Sequence, residues 1–240
     1  MKTIDVLNHV KNISESESIN LINTRLKNTE SFISLGFLNQ HGFNLLADDT
    51  SVQKLFFDLD ILLRDGIGIK IANKMSNIEN NENLNGTDLI PKVISYLNTD
   101  INDFYVFGTE PPWLEEGSLN LLGDEKAAYL IDGFQKLEHY LDFLKQHINT
   151  KKNAVIILAM GMPKQEELAF NIKREIKGKG IIICGGAIVD FKAGRVKRAP
   201  NFIQRLNLEW LYRLIKEPRR LFKRYVIGIP LFFYNLIKYK

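Results

Sequence analysis

The 240-residue sequence predicts an α/β fold: a Rossmann-like, mostly parallel sheet flanked by helices, followed by a basic helical C-terminal appendage. Short apolar strand candidates alternate with helical patterns through residues 1–191, which is typical of βαβ units. Polar or glycine-containing clusters follow several of these strands. After Asp190 the alternation stops and the composition becomes basic. We therefore expect an α/β domain at 1–191 and an amphipathic helical appendage at 192–240.

The elements of the first part follow from apolar spacing and from helix-capping residues. Ser14 and Glu17 form a capping box that opens a helix to about residue 27. Thr87 is placed to cap a helix that tolerates Pro91 in its first turn. The strand candidates are 31–38, 59–63, 104–107, 127–131, 154–158 and 181–184. The other helix candidates are 42–48, 52–57, 67–75, 136–146 and 164–177.

The C-terminal part combines positive charge with bulky apolar residues. Residues 201–215 have an amphipathic helical pattern that Glu217-Pro218 interrupts. The apolar stretch 225–237 contains Gly228, Pro230 and Asn235, and it is shorter than the roughly 20 apolar residues that cross a bilayer. Such a segment is typical of a helix that lies on a membrane surface.

Charge is divided unevenly along the chain. Residues 1–191 carry 19 Lys and Arg against 26 Asp and Glu, whereas residues 192–240 carry 13 against 2. The basic part therefore favours an anionic partner: phosphate, nucleic acid or acidic lipid. The single cysteine, Cys184, excludes a disulfide within the chain and a cysteine-rich metal site. The four histidines lack metal-ligand spacing, and neither a P-loop nor a dinucleotide fingerprint is present.

The residues after the strands are the candidates for chemistry, because ligands of parallel sheets bind beyond the carboxyl ends of the strands. Asp65 follows a buried strand and can accept a proton from an incoming hydroxyl, although an ordinary helix-capping aspartate also fits its position. Backbone N–H groups beside Pro163 can receive a phosphate or sugar oxygen, and Gln165 and Glu166 are within reach; a plain helix start is the alternative. Gly108-Thr109 and Gly185-Gly186 are expected at the same rim.

Asp58 and Asp60 form a DxD pair of the kind that holds a divalent metal on a nucleotide diphosphate in many sugar-transferring enzymes. The pair precedes its strand, so we expect it at the edge of the sheet opposite the ligand, as a solvated strand entry.

These clusters, in this order, resemble the WecG/TagA/CpsF glycosyltransferase family (glycosyltransferase family 26). The resemblance covers nearly the whole chain, and its C-terminal block is the most specific part. It rests on the segments 65–68, 86–91, 107–108, 161–166, 186–200, 208–214 and 217–220, which read DGIG, GTDLIP, FG, GMPKQE, GAIVDFKAGRVKRAP, LEWLYRL and EPRR.

The resemblance implies an inverting, metal-independent transfer from a UDP-sugar, often UDP-N-acetylmannosamine, to a polyprenyl-diphosphate-linked acceptor. The product feeds teichoic acid, capsule or exopolysaccharide. It also implies a cytoplasmic protein held peripherally on the inner face of the bacterial plasma membrane, where it contacts an anionic surface. No cofactor and no nucleic acid are expected, and a homo-oligomer is compatible with the sequence.

The same resemblance, together with the rim positions, assigns the candidate site residues. Asp65 is the expected base. The expected substrate-binding residues are Asn39, Gly66, Thr87, Asp88, Gly108, Gln165, Glu166 and Gly186. Guanidinium groups suit diphosphate oxygens, and the expected diphosphate- or lipid-contacting residues are Arg195, Arg198, Arg213, Arg219, Arg220 and Arg224.

Two departures from the family pattern and two alternative functions remain open at this point. Phe37 stands where relatives often carry a threonine, and the segment 111–135 is atypical, so the sugar is not fixed. One alternative is a metal-dependent glycosyltransferase that uses Asp58 and Asp60. The other is a non-enzymatic module whose basic tail binds phosphate or nucleic acid.

Overall fold

The computed structural model describes residues 3–79, 82–97, 102–123 and 128–239, and its centre is a sheet of six parallel strands. The strands are β1 (Phe32–Leu38), β2 (Ile61–Arg64), β3 (Asn102–Gly108), β4 (Ala128–Ile131), β5 (Asn153–Ala159) and β6 (Lys179–Cys184). Their order in the sheet is β2-β1-β6-β5-β3-β4, and every pairing is parallel. The predicted fold class is confirmed.

Helices surround the sheet and form the C-terminal segment, which we define as residues 192–239. Those of the first part are α1 (Val6–His9), α2 (Glu15–Lys27), α3 (Gln40–Asp48), α4 (Thr50–Asp58), α5 (Gly66–Met75), α6 (Gly86–Leu97), α7 (Trp113–Leu122), α8 (Leu137–His147), α9 (Lys164–Glu175) and α10 (Ile188–Lys192). The C-terminal segment contains α11 (Asn201–Arg205), α12 (Glu209–Lys216), α13 (Pro218–Phe222) and α14 (Gly228–Tyr239). A 3₁₀ turn, Thr3–Asp5, precedes α1, and a π-helical turn, Lys223–Ile227, joins α13 to α14.

Local side-chain hydrogen bonds explain where several helices begin. The predicted capping box of α2 is confirmed, since Ser14 accepts from the backbone N–H of Glu17 while the Glu17 carboxylate accepts from that of Ser14. The predicted cap of α6 is wrong. Asn85, not Thr87, caps this helix, because its Oδ1 accepts the backbone N–H of Asp88 at 3.0 Å.

The predicted single helix over 201–215 is also wrong, because the structure divides it into α11 and α12. Asn207 between them adopts a left-handed backbone (φ 58°), which ends one helix and redirects the chain into the next. Asparagine tolerates this conformation better than most non-glycine residues. The predicted interruption at Glu217-Pro218 is confirmed, as α12 ends at Lys216 and Pro218 starts α13.

Both faces of the sheet are covered, so its strands are largely buried except for the edge strand β4. On one face lie α3, α4, α8 and α9, whose core residues include Phe43, Phe56, Leu144 and Leu168. On the other lie α6, α7 and α10, which contribute residues such as Ile90, Leu114 and Val189. After the neighbouring strands β3 and β5 the chain thus leaves for opposite faces, through α7 and α9. This opens a crevice at the carboxyl ends of the strands.

The end of the C-terminal segment packs onto the first part of the chain. Phe232 and Leu236 of α14 are buried in the core beside α3, and the Phe43 and Phe232 rings meet edge to face with centroids 5.3 Å apart. Among the described residues, no helix is long and apolar enough to cross a membrane.

Candidate functional site

The carboxyl ends of all six strands open onto one cavity of about 620 Å³, which we call the main cavity. Residues that follow each strand contribute to its wall: Asn39, Asp65, Thr109, Gly133, Gly161 and Gly185. The structure therefore brings together the clusters expected at one rim.

Asp65 occupies the N-cap position of α5, yet its side chain makes no hydrogen bond to the start of that helix. The backbone N–H of Gly66, the first residue of the helix, donates to the Asn83 side chain at 2.8 Å. Asn39 donates through Nδ2 to the Asp65 carboxylate at 3.3 Å, and its Oδ1 accepts two backbone N–H groups at the start of α3. The Asp65 carboxylate is therefore oriented by a neighbour that is itself fixed, and it remains available to a ligand.

The electrostatics of Asp65 combine burial with a cationic surrounding. Burial raises the pKa of Asp65 above its ordinary value, while the Asn39 hydrogen bond and the guanidinium groups of Arg224, Arg213 and Arg64 oppose this rise. A carboxyl whose pKa is moved toward neutrality is better matched to proton abstraction than a solvated aspartate.

A wall of guanidinium groups from the C-terminal segment faces Asp65. Arg213, Arg220 and Arg224 line the main cavity; they come from α12, α13 and the π-helical turn. Arg220 pairs with Glu217, but among the described residues neither Arg213 nor Arg224 has a carboxylate within ion-pair distance. Their charge is therefore free to interact with an anionic ligand.

His41 lies on the same wall in its neutral form. Burial, together with the nearby positive charge of Arg224, lowers the pKa of His41 to about 4. The imidazole adds no charge to the site at neutral pH, and it can donate or accept one hydrogen bond at each ring nitrogen.

On the far side of the cavity, Thr109, Asp190 and Arg195 form a hydrogen-bonded group. Thr109 donates through Oγ1 to Asp190 at 2.6 Å and accepts from Nη1 of Arg195 at 2.8 Å. Arg195 also pairs with Glu110 at 2.8 Å. Sequence reasoning missed Asp190, His41 and the exposed wall residue Phe134; a signal for Asp190 was its position just after the Gly185-Gly186 turn.

Gln165 and Gly186 are joined to each other at the centre of the cavity wall. The Gln165 Oε1 accepts the backbone N–H of Gly186 at 3.0 Å, and its Nε2 donates to Glu166 at 2.7 Å. Glu166, an expected ligand contact, is 1% exposed and lies behind Gln165 rather than on the cavity wall. Gln165 is buried to the same degree, but of these two neighbours only Gln165 lines the cavity.

Four other expected site residues take positions away from the wall of the main cavity. Asp88 and Arg198 form an ion pair with each other, and Arg198 also approaches Glu209 at 3.6 Å. Arg219 is exposed on α13. Gly108 is a packing position, because a Cβ there would lie 2.5 Å from the carbonyl oxygen of Ala159.

A second cavity of about 470 Å³ adjoins the first. Both cavities share Asn39, Asp65, Thr87, Phe191, Arg213 and Arg224. Gly66 lies on the wall of the second cavity, whose remaining lining is largely apolar: Ile67, Ile71, Leu206, Leu208, Trp210, Tyr225, Ile229, Phe232 and Phe233. A polar and an apolar chamber thus meet at Asp65.

Asp58 and Asp60 lie at the amino end of β2, away from both cavities, as their place in the sequence indicated. They are ion-paired rather than simply solvated. Lys173 bridges the two carboxylates at 3.1 and 2.8 Å, and Arg174 pairs with Asp58 at 2.9 Å. Asp60 also accepts the backbone N–H of Ser34. These contacts engage both carboxylate oxygens of Asp58 and the Oδ2 of Asp60.

Fold and site together are typical of one class: an α/β enzyme that binds its ligand at the carboxyl ends of parallel strands, here beside the half-buried carboxyl group of Asp65. The sequence comparison specifies it further. The chain belongs to the WecG/TagA/CpsF glycosyl transferase family, whose model matches residues 4–240. It is therefore a glycosyltransferase.

The chain is also similar in sequence to a curated protein of known activity. The chain is similar to N-acetylglucosaminyldiphosphoundecaprenol N-acetyl-beta-D-mannosaminyltransferase of Bacillus subtilis (strain 168), with 27% identity over 190 residues. This alignment covers 76% of the chain and 72% of the relative.

Proposed function

We propose that this chain is an inverting, metal-independent glycosyltransferase of bacterial cell-surface polysaccharide synthesis. Its donor is a UDP-sugar, with N-acetylmannosamine or a related hexose as the transferred group, and its acceptor is a saccharide linked to polyprenyl diphosphate. The polymer is a teichoic acid, a capsule or an exopolysaccharide. One observation carries the proposal: Asp65 lies on the wall of both the polar and the apolar cavity.

In the proposed reaction, Asp65 accepts the proton of the acceptor hydroxyl as that oxygen attacks the anomeric carbon of the donor. The bond from this carbon to the diphosphate oxygen breaks on the opposite side, so the configuration inverts and UDP leaves. Arg213 and Arg224 stabilise the negative charge that develops on the diphosphate, because they line the cavity and form no ion pair with a carboxylate of the described residues.

The two cavities suit two chemically different substrates. The main cavity offers polar side chains and backbone groups for a nucleotide sugar. The apolar lining of the second cavity suits the first isoprene units of a lipid-linked acceptor, and Arg213 and Arg224 at the junction suit its diphosphate. In this arrangement the acceptor sugar meets the donor at Asp65.

The outer surface of the C-terminal segment fits a membrane-bound acceptor. Among the described residues it exposes large apolar side chains beside basic ones, including Phe202, Ile215, Phe222, Ile227 and Ile237. Apolar side chains enter the boundary between headgroups and acyl chains, while Lys and Arg attract anionic lipids. We therefore propose peripheral binding to the inner face of the plasma membrane.

The test is a radiolabelled transfer assay with UDP-N-acetylmannosamine, a lipid-diphosphate-linked N-acetylglucosamine analogue and EDTA. Wild type is expected to transfer, and Asp65→Asn to lose about a thousandfold in rate, within the usual range for general base catalysis. Asp142→Asn is the matched control, because Asp142 is 68% exposed on α8. Equal rates for Asp65→Asn and Asp142→Asn would remove Asp65 as the base.

The same assay distinguishes the metal-dependent alternative. Loss of transfer in EDTA, with recovery in Mn²⁺ and loss in both Asp58→Asn and Asp60→Asn, would favour a metal site at that pair. If no transfer occurs under any of these conditions, the assay is repeated with a panel of UDP-sugars. Failure of the whole panel, together with salt-sensitive binding of nucleic acid, would replace the proposal with a binding function.

A further inference from the structure

Glu166 is a buried carboxyl group without a cationic partner among the described residues. It lies in the first turn of α9, is 1% exposed, and its Oε1 accepts the hydrogen bond from Gln165 at 2.7 Å. Its Oε2 is buried and has no hydrogen-bond partner within the described part of the chain. A buried carboxyl group without a counter-ion among the described residues costs stability, because burial withdraws its charge from bulk solvent.

The Gln165 side chain is held at both ends. Its Nε2 must donate to Glu166, and its Oε1 must accept from the backbone N–H of Gly186 at 3.0 Å. If the amide were rotated by 180°, its NH₂ group would face the N–H of Gly186, and its oxygen would face the Glu166 carboxylate. Both contacts would be unfavourable, because each would pair two donors or two acceptors. The two bonds therefore fix one orientation of the amide.

This orientation leaves defined hydrogen-bonding capacity for a ligand. An amide has two N–H donors and two acceptor lone pairs, and the internal bonds occupy one of each. The remaining N–H and lone pair belong to a side chain on the wall of the main cavity. A group that both accepts and donates satisfies them together, and a hydroxyl of a sugar or ribose ring is such a group.

We propose that Glu166 is a positioning residue that acts through Gln165: it fixes the amide and the Gly185-Gly186 turn so that a hydroxyl of the nucleotide-sugar donor is bound. The assignment of a sugar donor rests on the proposed function, whereas the effect of Glu166 on Gln165 and Gly186 does not. Glu166 touches no substrate in this arrangement, in contrast to Gln165.

The melting temperature of variants distinguishes a positioning role of Glu166 from a purely structural one, because burying its carboxyl group destabilises the folded state. Methionine has a similar length and no desolvation cost, so Glu166→Met is expected to keep or raise the melting temperature. If Glu166 were needed only for folding, Glu166→Met would lower the melting temperature. Glu166→Gln can still accept from Gln165 through its own carbonyl oxygen, and it serves as the conservative variant.

The first experiment needs no ligand. Exchange of the Gly186 amide hydrogen, followed by NMR, should become about tenfold faster in Glu166→Met, as expected for weakening one hydrogen bond, and stay near wild type in Glu166→Gln. Wild-type exchange in Glu166→Met would overturn the proposed link between Glu166 and the Gly186 turn.

The second experiment is a double-mutant cycle on binding and turnover. The Kd for UDP and the KM for the UDP-sugar are measured for Glu166→Met, Gln165→Met and the double variant. We expect Glu166→Met to raise the KM about tenfold with kcat nearly unchanged, and to have no further effect once Gln165 is methionine. Additive effects would show that Glu166 acts by another route, and a lower melting temperature with an unchanged KM would show a structural role.

These outcomes are separable from those of the proposed function. If wild type transfers no sugar but Gly186 exchange responds as expected, the transfer proposal fails and the positioning role stands. If wild type transfers sugar and Gly186 exchange does not respond, the positioning role fails alone.

Discussion

Asp65 occupies the N-cap position of α5, yet its half-buried side chain makes no hydrogen bond to the N–H groups of that helix. The carboxylate therefore does not cap the helix, and it lies on the wall of both cavities. Its raised pKa has a cost: the unfolded chain ionises at lower pH than the folded one, so stability falls as the pH rises above the unfolded value.

Asp65→Asn should therefore lose activity without losing stability. The substitution removes the proton acceptor, and it also removes the desolvated charge at neutral pH. We expect transfer to collapse while the melting temperature at pH 7.5 stays equal to or above that of wild type, as measured by differential scanning calorimetry. A clear fall in the melting temperature would mean that the loss of transfer reports unfolding and not the loss of a base.

The raised pKa of Glu166 makes the stability of the folded protein depend on pH. Burial raises the pKa of Glu166 from 4.5 to about 7, and the Gln165 hydrogen bond opposes this only in part. Between these two values the unfolded chain has released a proton that the folded chain retains, so the folded state loses stability as the pH rises. At 1.36 kcal/mol per pKa unit, the full penalty above pH 7 is about 3 kcal/mol.

Glu166→Gln removes this titration. In urea denaturation at pH 5 and pH 8, the free energy of unfolding of wild type should fall relative to that of Glu166→Gln by about 2–3 kcal/mol on going to the higher pH. The same comparison with Glu138→Gln, at an exposed position of α8, controls for the loss of a carboxylate. An unchanged difference between wild type and Glu166→Gln would contradict the raised pKa.

Sequence could predict Asp65 and Gln165 as wall residues because they lie just after strands of a parallel sheet. The sequence could not predict which of Gln165 and Glu166 faces the cavity. Both are polar, and successive helix positions differ by about 100° in direction, so only packing decides that one faces the cavity and the other the core. The same limit applies to Asp88 and Arg198, whose mutual ion pair joins distant parts of the chain.

At the scale of elements, the π-helical turn Lys223–Ile227 carries Arg224 to the site, and its position depends on α3. Gln40 donates to the backbone carbonyl of Arg224 at 3.3 Å, and Asn44 donates to that of Gly228 at 2.7 Å. Asn235 of α14 donates in turn to Asn44. The side-chain amides of Gln40 and Asn44 in α3 therefore hold the segment that places the Arg224 guanidinium group near Asp65.

Asn44→Leu tests this connection. The variant removes one donor to the buried carbonyl of Gly228 and the acceptor of the buried Asn235 amide, which should cost about 1–3 kcal/mol. It should also free the end of the C-terminal segment for cleavage by trypsin. Limited proteolysis followed by mass spectrometry measures the cleavage. Asn20→Leu, at an exposed position of α2, is the control. Equal protection of the segment in both variants would contradict the role assigned to Asn44.

The strands and most helices were predictable because apolar spacing and caps are local signals. The break between α11 and α12 was not, because the amphipathic pattern continues across Asn207 and gives no sign of a left-handed residue. The cap of α6 was assigned to Thr87 on residue type, while Asn85, equally suited and two residues earlier, makes the bond.

At the scale of the molecule, exposed apolar surface is concentrated in the C-terminal segment. Among the described residues, ten of fourteen exposed large hydrophobic side chains lie between residues 202 and 237. The composition of the sequence predicted this surface. It could not predict that α14 also inserts Phe232 and Leu236 into the core, because the partners lie in α3, near the other end of the sequence.

Membrane binding should depend on this surface. Replacing Ile215 and Phe222 together by serine removes two exposed apolar side chains, each worth up to about 1.5–3 kcal/mol when fully buried in an apolar phase. We expect at least a tenfold loss of partitioning into phosphatidylglycerol vesicles, measured by co-sedimentation. Tyr96→Ser, at an exposed position of α6, is the control. Equal partitioning of both variants would place the contact surface elsewhere.

The contact between α3 and α14 also bears on biosynthesis. Asn44 and Gly228 are 184 positions apart, so this contact can form only after residue 228 has left the ribosome. A nascent chain released before Arg213 and Arg224 can complete the strands of the sheet but not the cationic wall. Premature termination should thus yield a polypeptide able to fold in part yet unable to consume donor. Late, long-range contacts of this kind also slow folding, so the rate at which active enzyme appears after translation should be limited by the docking of α14.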